Sequence, residues 1–128
     1  MLHDDINQPD VLAEVTIAFH RYEKALTGND IDVLDELFWH DARTVRYGAG
    51  ENLYGIDEIR AFRLARPSAG LDRQLQNTVI TTYGQHMAVA STEFRREGSA
   101  KTGRQMQTWV KMPEGWRIVA AHVSLMSE

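Results

Sequence analysis

The chain has 128 residues, 43% hydrophobic and 25% charged, with a formal net charge of −4 and no cysteine; that balance predicts a single globular domain able to hold a core without crosslinks. The missing thiols exclude disulfides, thiolate nucleophiles and cysteine-bound metals, and the acidic excess excludes a general nucleic-acid binder. No apolar run approaches the roughly 18 residues of a membrane span, and the opening MLHDDINQPD lacks the basic-then-apolar pattern of a secretory signal, so a cytoplasmic protein is expected.

In chain order, Pro9 suits a first helical position and Gly28 a helix stop, which predicts a helix over Pro9 to Thr27. Its apolar stripe is Val11, Val15, Ala18, Phe19, Tyr22 and Leu26, spaced at three or four residues. Tyr22 stands on that stripe where Phe or Leu would pack as well, so its hydroxyl points into the fold and needs a partner or a ligand. A second short helix opens at Asn29 or Asp30, carries Ile31, Leu34, Leu37 and Phe38 toward the core, and ends near Trp39. Thr44 to Tyr47 and Glu51 to Tyr54 flank Gly48, Ala49 and Gly50 in the pattern of a short hairpin. A third helix follows from Ile56 to Arg66, stopped by Pro67, with Ile56, Ile59 and Phe62 sharing a side with Arg63 and, a turn later, Arg66.

Four strands complete the chain: Leu75 to Tyr83, Met87 to Arg96, Arg104 to Met112 and Trp116 to Leu125. Short turns between them predict an antiparallel meander, and helices first with strands later predict an α+β domain. Strict alternation in the last strand puts Trp116, Ile118, Ala120, His122 and Ser124 on one face and Arg117, Val119, Ala121, Val123 and Leu125 on the other. Both faces are mainly apolar, so the strand is expected to be central, one face meeting the helices and a pocket, the other a subunit interface. His122 and Ser124 are polar groups in that setting, either satisfied internally or part of a site.

Eleven arginines stand against three lysines. That bias reflects either codon usage or a need for guanidinium, which holds carboxylates bidentately in a partly dry pocket. Strand alternation groups Arg46 with Thr44, opposite Val45 and Tyr47, and by itself predicts a solvent-facing arginine. Arg63 and Arg66 either pair with Asp57, Glu58 or Glu51 at the helix surface or serve an anion site. The five histidines are scattered without the helical pairing of a zinc hydrolase. Gly48 to Gly50 lacks the spacing of a phosphate loop, and no serine stands in a nucleophile elbow.

A three-helix cap over a curved antiparallel sheet resembles the cone-shaped, cystatin-like fold of nuclear transport factor 2 and ketosteroid isomerase. The segments FHRYEKAL, LFWHDARTVRYGAGENLYGIDEIRAFRLARP, GRQMQTW and GWRIVAAHVSL resemble more closely the AtzH family of small bacterial amidases of cyanuric acid (s-triazine) catabolism. The resemblance implies conversion of 1,3-dicarboxyurea to allophanate without metal or cofactor, alongside a separate upstream amidase, with Tyr22 and Arg46 as the catalytic pair. Met106 stands where serine is expected in that family's pattern. A small planar dianion needs fixed cations in a concave cavity, for which Arg63 and Arg66 are candidates, with His122 and Ser124 as further substrate contacts. Tyr22 either donates a proton to the leaving nitrogen or, as phenolate, activates water. Two other classes stay open: a ketosteroid isomerase-like enzyme, which would lack an obvious carboxylate base in the TVRYG strand, and a noncatalytic module that binds small acids. A homodimer is expected.

Overall fold

The computed structural model describes residues 1–127. Helix α1 spans Pro9–Thr27 with Pro9 in its first turn, and the Gly28 N–H donates to the Lys24 carbonyl at 3.0 Å to close its end. Helix α2, Ile31–Leu37, is capped by Asp30, whose carboxylate accepts from the Val33 N–H at 3.2 Å. It stops before Trp39, because Phe38 leaves the helix in an extended conformation and bridges to Ile118 instead. Strands β1 (Val45–Tyr47) and β2 (Asn52–Tyr54) form the expected hairpin. Helix α3, Ile56–Ala65, follows Gly55, whose φ of +84° belongs to glycine, and Arg66 is already extended ahead of Pro67.

The remaining strands are β3 (Gln74–Tyr83), β4 (Met87–Arg95), β5 (Gly103–Met112) and β6 (Gly115–Leu125), an antiparallel meander as the turn spacing predicts. The hairpin joins this sheet by a pairing that turn spacing does not reveal: β1 runs parallel to β6, giving the order β2-β1-β6-β5-β4-β3. Strand β6 is therefore central. Three helices thus pack on one face of a six-stranded, mostly antiparallel sheet, an α+β architecture. Their shared core holds Val15, Phe19, Leu34 and Phe38 from the helical side and Ala88, Ala90, Trp109 and Ile118 from the sheet. Among the described residues, no helix is long and apolar enough to cross a membrane.

Strict alternation in β6 fails. The register steps from Thr108↔Ala120 to Trp109↔Ile118, leaving Val119 as the extra residue of a bulge. Trp116 and Ile118 keep to the helix side and are buried, and beyond the bulge Ala121 faces the helices, paired with the buried Gln107. Ala120, His122 and Ser124 consequently turn to the outer face, and the expected grouping of His122 and Ser124 with Trp116 and Ile118 is corrected.

The inner face is also tightly fitted. Gly103 lies against the ring of Phe94, its neighbour in the ladder, and a Cβ there would fall within that ring. Gly103→Ala is expected to lower stability by roughly 1–3 kcal/mol, as overpacking does, read as a drop in urea midpoint at unchanged slope.

Candidate active site

Two polar residues of the β1 segment, Thr44 (fully buried) and Arg46 (9% exposed), face the cone interior, so the solvent-facing reading of Arg46 is corrected. Alternation groups them properly; which face is inside is set by the parallel pairing with β6, which places Arg46 beside Ala121 and Tyr47 beside His122. Arg46 Nη1 donates to Glu51 Oε1 at 3.0 Å, and its guanidinium lies 5.3 Å from the Phe62 ring centroid. Glu51 folds back to make this contact across Gly48, where a Cβ would collide with the carboxylate.

Helix α3 brings Arg63 and Arg66 to the same space. Arg63 is 4% exposed and stacks 4.8 Å above the Phe38 ring. Neither arginine makes an ion pair among the described residues, and two nitrogens of each are buried without a hydrogen-bond partner. The surface pairing considered from sequence is replaced by other partners: Asp57 meets Arg60 at 3.7 Å, Glu58 accepts from the Tyr54 N–H at 2.8 Å, and Glu51 holds Arg46. Burial pushes the Arg63 guanidinium down to about 10; nearby Tyr22 opposes that shift, while Arg46 and Arg66 add to it. Burial likewise lowers Arg66, again opposed by Tyr22 and reinforced by Arg46. The geometry agrees: Arg63 and Tyr22 both stand against the Phe38 ring, and Arg46 lies over Phe62, the neighbour of Arg63 on α3.

Tyr22 is 4% exposed on the inner stripe of α1, its ring 6.2 Å from that of Phe38. Among the described residues its hydroxyl makes no hydrogen bond. The structure thus brings together Tyr22, Arg46, Arg63 and Arg66. His122 and Ser124 do not join them: both line a groove of about 420 Å³ on the outer face of the sheet, with Met106 and Arg104. The bulge at Val119 is the physical reason. Met106 pairs with His122 on that outer face, away from Tyr22 and Arg46.

Sequence patterning passed over four further residues of the cone. Arg73, whose side chain is 1% exposed, bonds both Glu23 oxygens at 2.6 and 2.9 Å and the Gln105 carbonyl oxygen at 2.9 Å. Gln105 and Gln107 are 2% and 1% exposed, each with an unpartnered amide nitrogen. The available signal was the alternation Gly103, Gln105, Gln107, Trp109, which sets two amides on the face of a core tryptophan.

A family model described as AtzH-like matches residues 4–128. The chain belongs to the AtzH-like family. This AtzH-like chain is 85% identical to a protein of unknown function from Pectobacterium atrosepticum, the match covering 99% of each chain with a TM-score of 0.98. It is 48% identical to a cystatin-like fold protein from Burkholderia xenovorans over 96% of this chain and 97% of that one, TM-score 0.92. A nuclear transport factor 2-like superfamily protein from Salmonella enterica matches at 26% identity over 93% of each chain, TM-score 0.71. Comparison with curated proteins returned no match. The AtzH-like chain therefore has the cone-shaped, cystatin-like fold that its segments suggest.

A buried, unpaired guanidinium is a stability liability. Arg63→Met, an apolar replacement of similar length, is expected to stabilise the free protein by roughly 1–2 kcal/mol, raising its melting temperature, while removing binding of small carboxylates measured by calorimetry. A lower melting temperature would mean that Arg63 already has a counterion.

Proposed function

We propose that the chain is an amidohydrolase that converts 1,3-dicarboxyurea to allophanate, with Tyr22 and Arg46 as its catalytic groups. The observation that carries this reading is the charge balance of the cone: Arg46 is paired with Glu51, whereas Arg63 and Arg66 make no ion pair among the described residues and feel Asp35 and Glu51 only from a distance. A dianion is the complement of that site, and bidentate guanidinium–carboxylate pairing supplies both affinity and orientation. Membership in the AtzH-like family supports the same substrate.

The chemistry follows from charge movement. As one carbamate C–N bond breaks, its electron pair moves onto nitrogen. That nitrogen takes the Tyr22 hydroxyl proton, and the terminal carboxyl group departs as carbon dioxide or, with water, as bicarbonate. The phenolate then recovers a proton from water. Arg46, oriented by Glu51 and the Phe62 ring, stabilises negative charge on the urea fragment during cleavage. Arg63 and Arg66 hold the carboxylates, and the dry setting strengthens each contact. An isomerase acting on an apolar ketone fits less well, because Glu51 is bound to Arg46 and the site presents unpaired cations to an uncharged substrate.

The outer face of the sheet is assigned to a second copy of the chain. Tyr47, Tyr54, Val79, Met87 and Met106 are exposed there across neighbouring strands, more apolar surface than scattered single residues require. A two-fold dimer covers such a face with itself. Met106→Asp is expected to convert the dimer to monomer in sedimentation velocity without unfolding it.

The decisive assay follows loss of freshly generated 1,3-dicarboxyurea and appearance of allophanate against an enzyme-free control. Wild type is expected to accelerate the reaction, and Tyr22→Phe and Arg46→Lys to fall by on the order of 100-fold or more while remaining folded. Wild type indistinguishable from the control would overturn the amidase reading.

A further inference from the structure

One rung of the inner sheet face runs Arg46, Ala121, Gln107, Ala90 across β1, β6, β5 and β4. Adjacent strands are about 4.8 Å apart, so the backbones of Arg46 and Gln107 stand about 10 Å apart with only methyl side chains between and beyond them. Ala121 is the single residue between that cation and that amide, and its methyl group sets no long side chain between them. Gln105 lies two residues back on the same face, paired with Thr92 and Val123.

Both amides are held by their oxygens. Trp109 Nε1–H donates to Gln107 Oε1 at 3.0 Å, and Arg73 Nη2 donates to Gln105 Oε1 at 2.9 Å. A donor on each carbonyl settles the orientation that an amide otherwise leaves open. The two NH2 groups must then face away from those partners, and both are buried without an acceptor. A buried donor left without a partner costs about 1–3 kcal/mol, and two of them on one strand face, Gln107 beside Ala121 and Gln105 beside Val123, are unusual unless an acceptor arrives from outside the chain.

We infer that Gln107, with Gln105 beside it, is a substrate-binding residue that donates to the neutral carbonyl at the centre of a linear dicarboxylate. This rests on the dianion reading of the arginine cavity and adds what the arginines do not supply. Guanidiniums select the two carboxylates; the amides select the uncharged acceptor between them. A charged donor at that position would add a third positive charge, whereas a carboxamide contributes N–H groups with none. The site is therefore specific for a diacid carrying a central oxo group over a saturated diacid of equal length, because a saturated ligand leaves both amides unpaired.

The test uses two probes, glutarate and freshly dissolved 3-oxoglutarate kept cold because a 3-oxo acid slowly loses carbon dioxide, which share chain length and charge and differ only in the central carbonyl. Calorimetry on wild type is expected to show 3-oxoglutarate bound about tenfold more tightly, the effect of one hydrogen bond within a built site. Gln107→Met should abolish that preference, leave glutarate affinity unchanged and raise KM for dicarboxyurea. Gln107→Glu keeps the side-chain shape and the acceptor for Trp109 while replacing the donor with an acceptor, and should weaken both probes; it decides the matter should the methionine variant not fold. A folded Gln107→Met that retains the oxo preference, or a Gln107→Glu that binds 3-oxoglutarate like wild type, overturns the assignment. Wild type that turns over dicarboxyurea yet shows no preference overturns the glutamine assignment alone. Wild type that prefers 3-oxoglutarate yet leaves dicarboxyurea at its background rate overturns the amidase reading alone.

Discussion

Keeping uncompensated positive charge away from water is the constraint on which this structure turns. Guanidinium tolerates such confinement better than ammonium because it is delocalised, weakly hydrated and able to lie on an aromatic face. The cone provides that setting: Arg63, without an ion pair among the described residues, lies over Phe38, and the paired Arg46 and Arg73 lie over Phe62 and Phe94. The aromatic residues that read as ordinary core in the second and third helices are thus also the surfaces that carry the cations. Their placement depends on Gly55 turning the chain into α3 and on Phe38 leaving α2 to bridge to β6.

Much of this was legible in the sequence, and the limits have identifiable causes. Helix α1 begins at Pro9 and ends at Thr27 because its punctuation is local: proline tolerates the first turn and glycine follows the last. The meander was readable because its turns are short. The parallel joining of β1 to β6 was not, because a long-range pairing leaves no mark in either strand's own pattern. Arg46 illustrates the difference between sharing a face and knowing which face is inside. Alternation grouped it with Thr44, and only the hidden pairing turned both inward.

His122 and Ser124 failed for another reason. A single inserted residue, Val119, reverses the parity of everything after it, and a bulge carries no obligatory residue type. Gln105 and Gln107 went unremarked because glutamine at alternate strand positions reads as a wet face. Burial, and the bonds to Arg73 and Trp109, convert that ordinary pattern into a polar wall.

The attachment of Glu51 has implications for how such a site diversifies. The carboxylate matched to Arg46 among the described residues is carried on the turn of an edge hairpin, reaching inward over Gly48, rather than on a core element. Edge turns accept changes of length and composition with little effect on the packed interior. Charge valence in the cavity can therefore be reset from outside the core: shortening the turn or replacing one acidic residue frees a third cation, and adding a second acid reduces the surplus to one. Descendants of one scaffold could in this way shift between mono-, di- and trianionic ligands while retaining every buried residue.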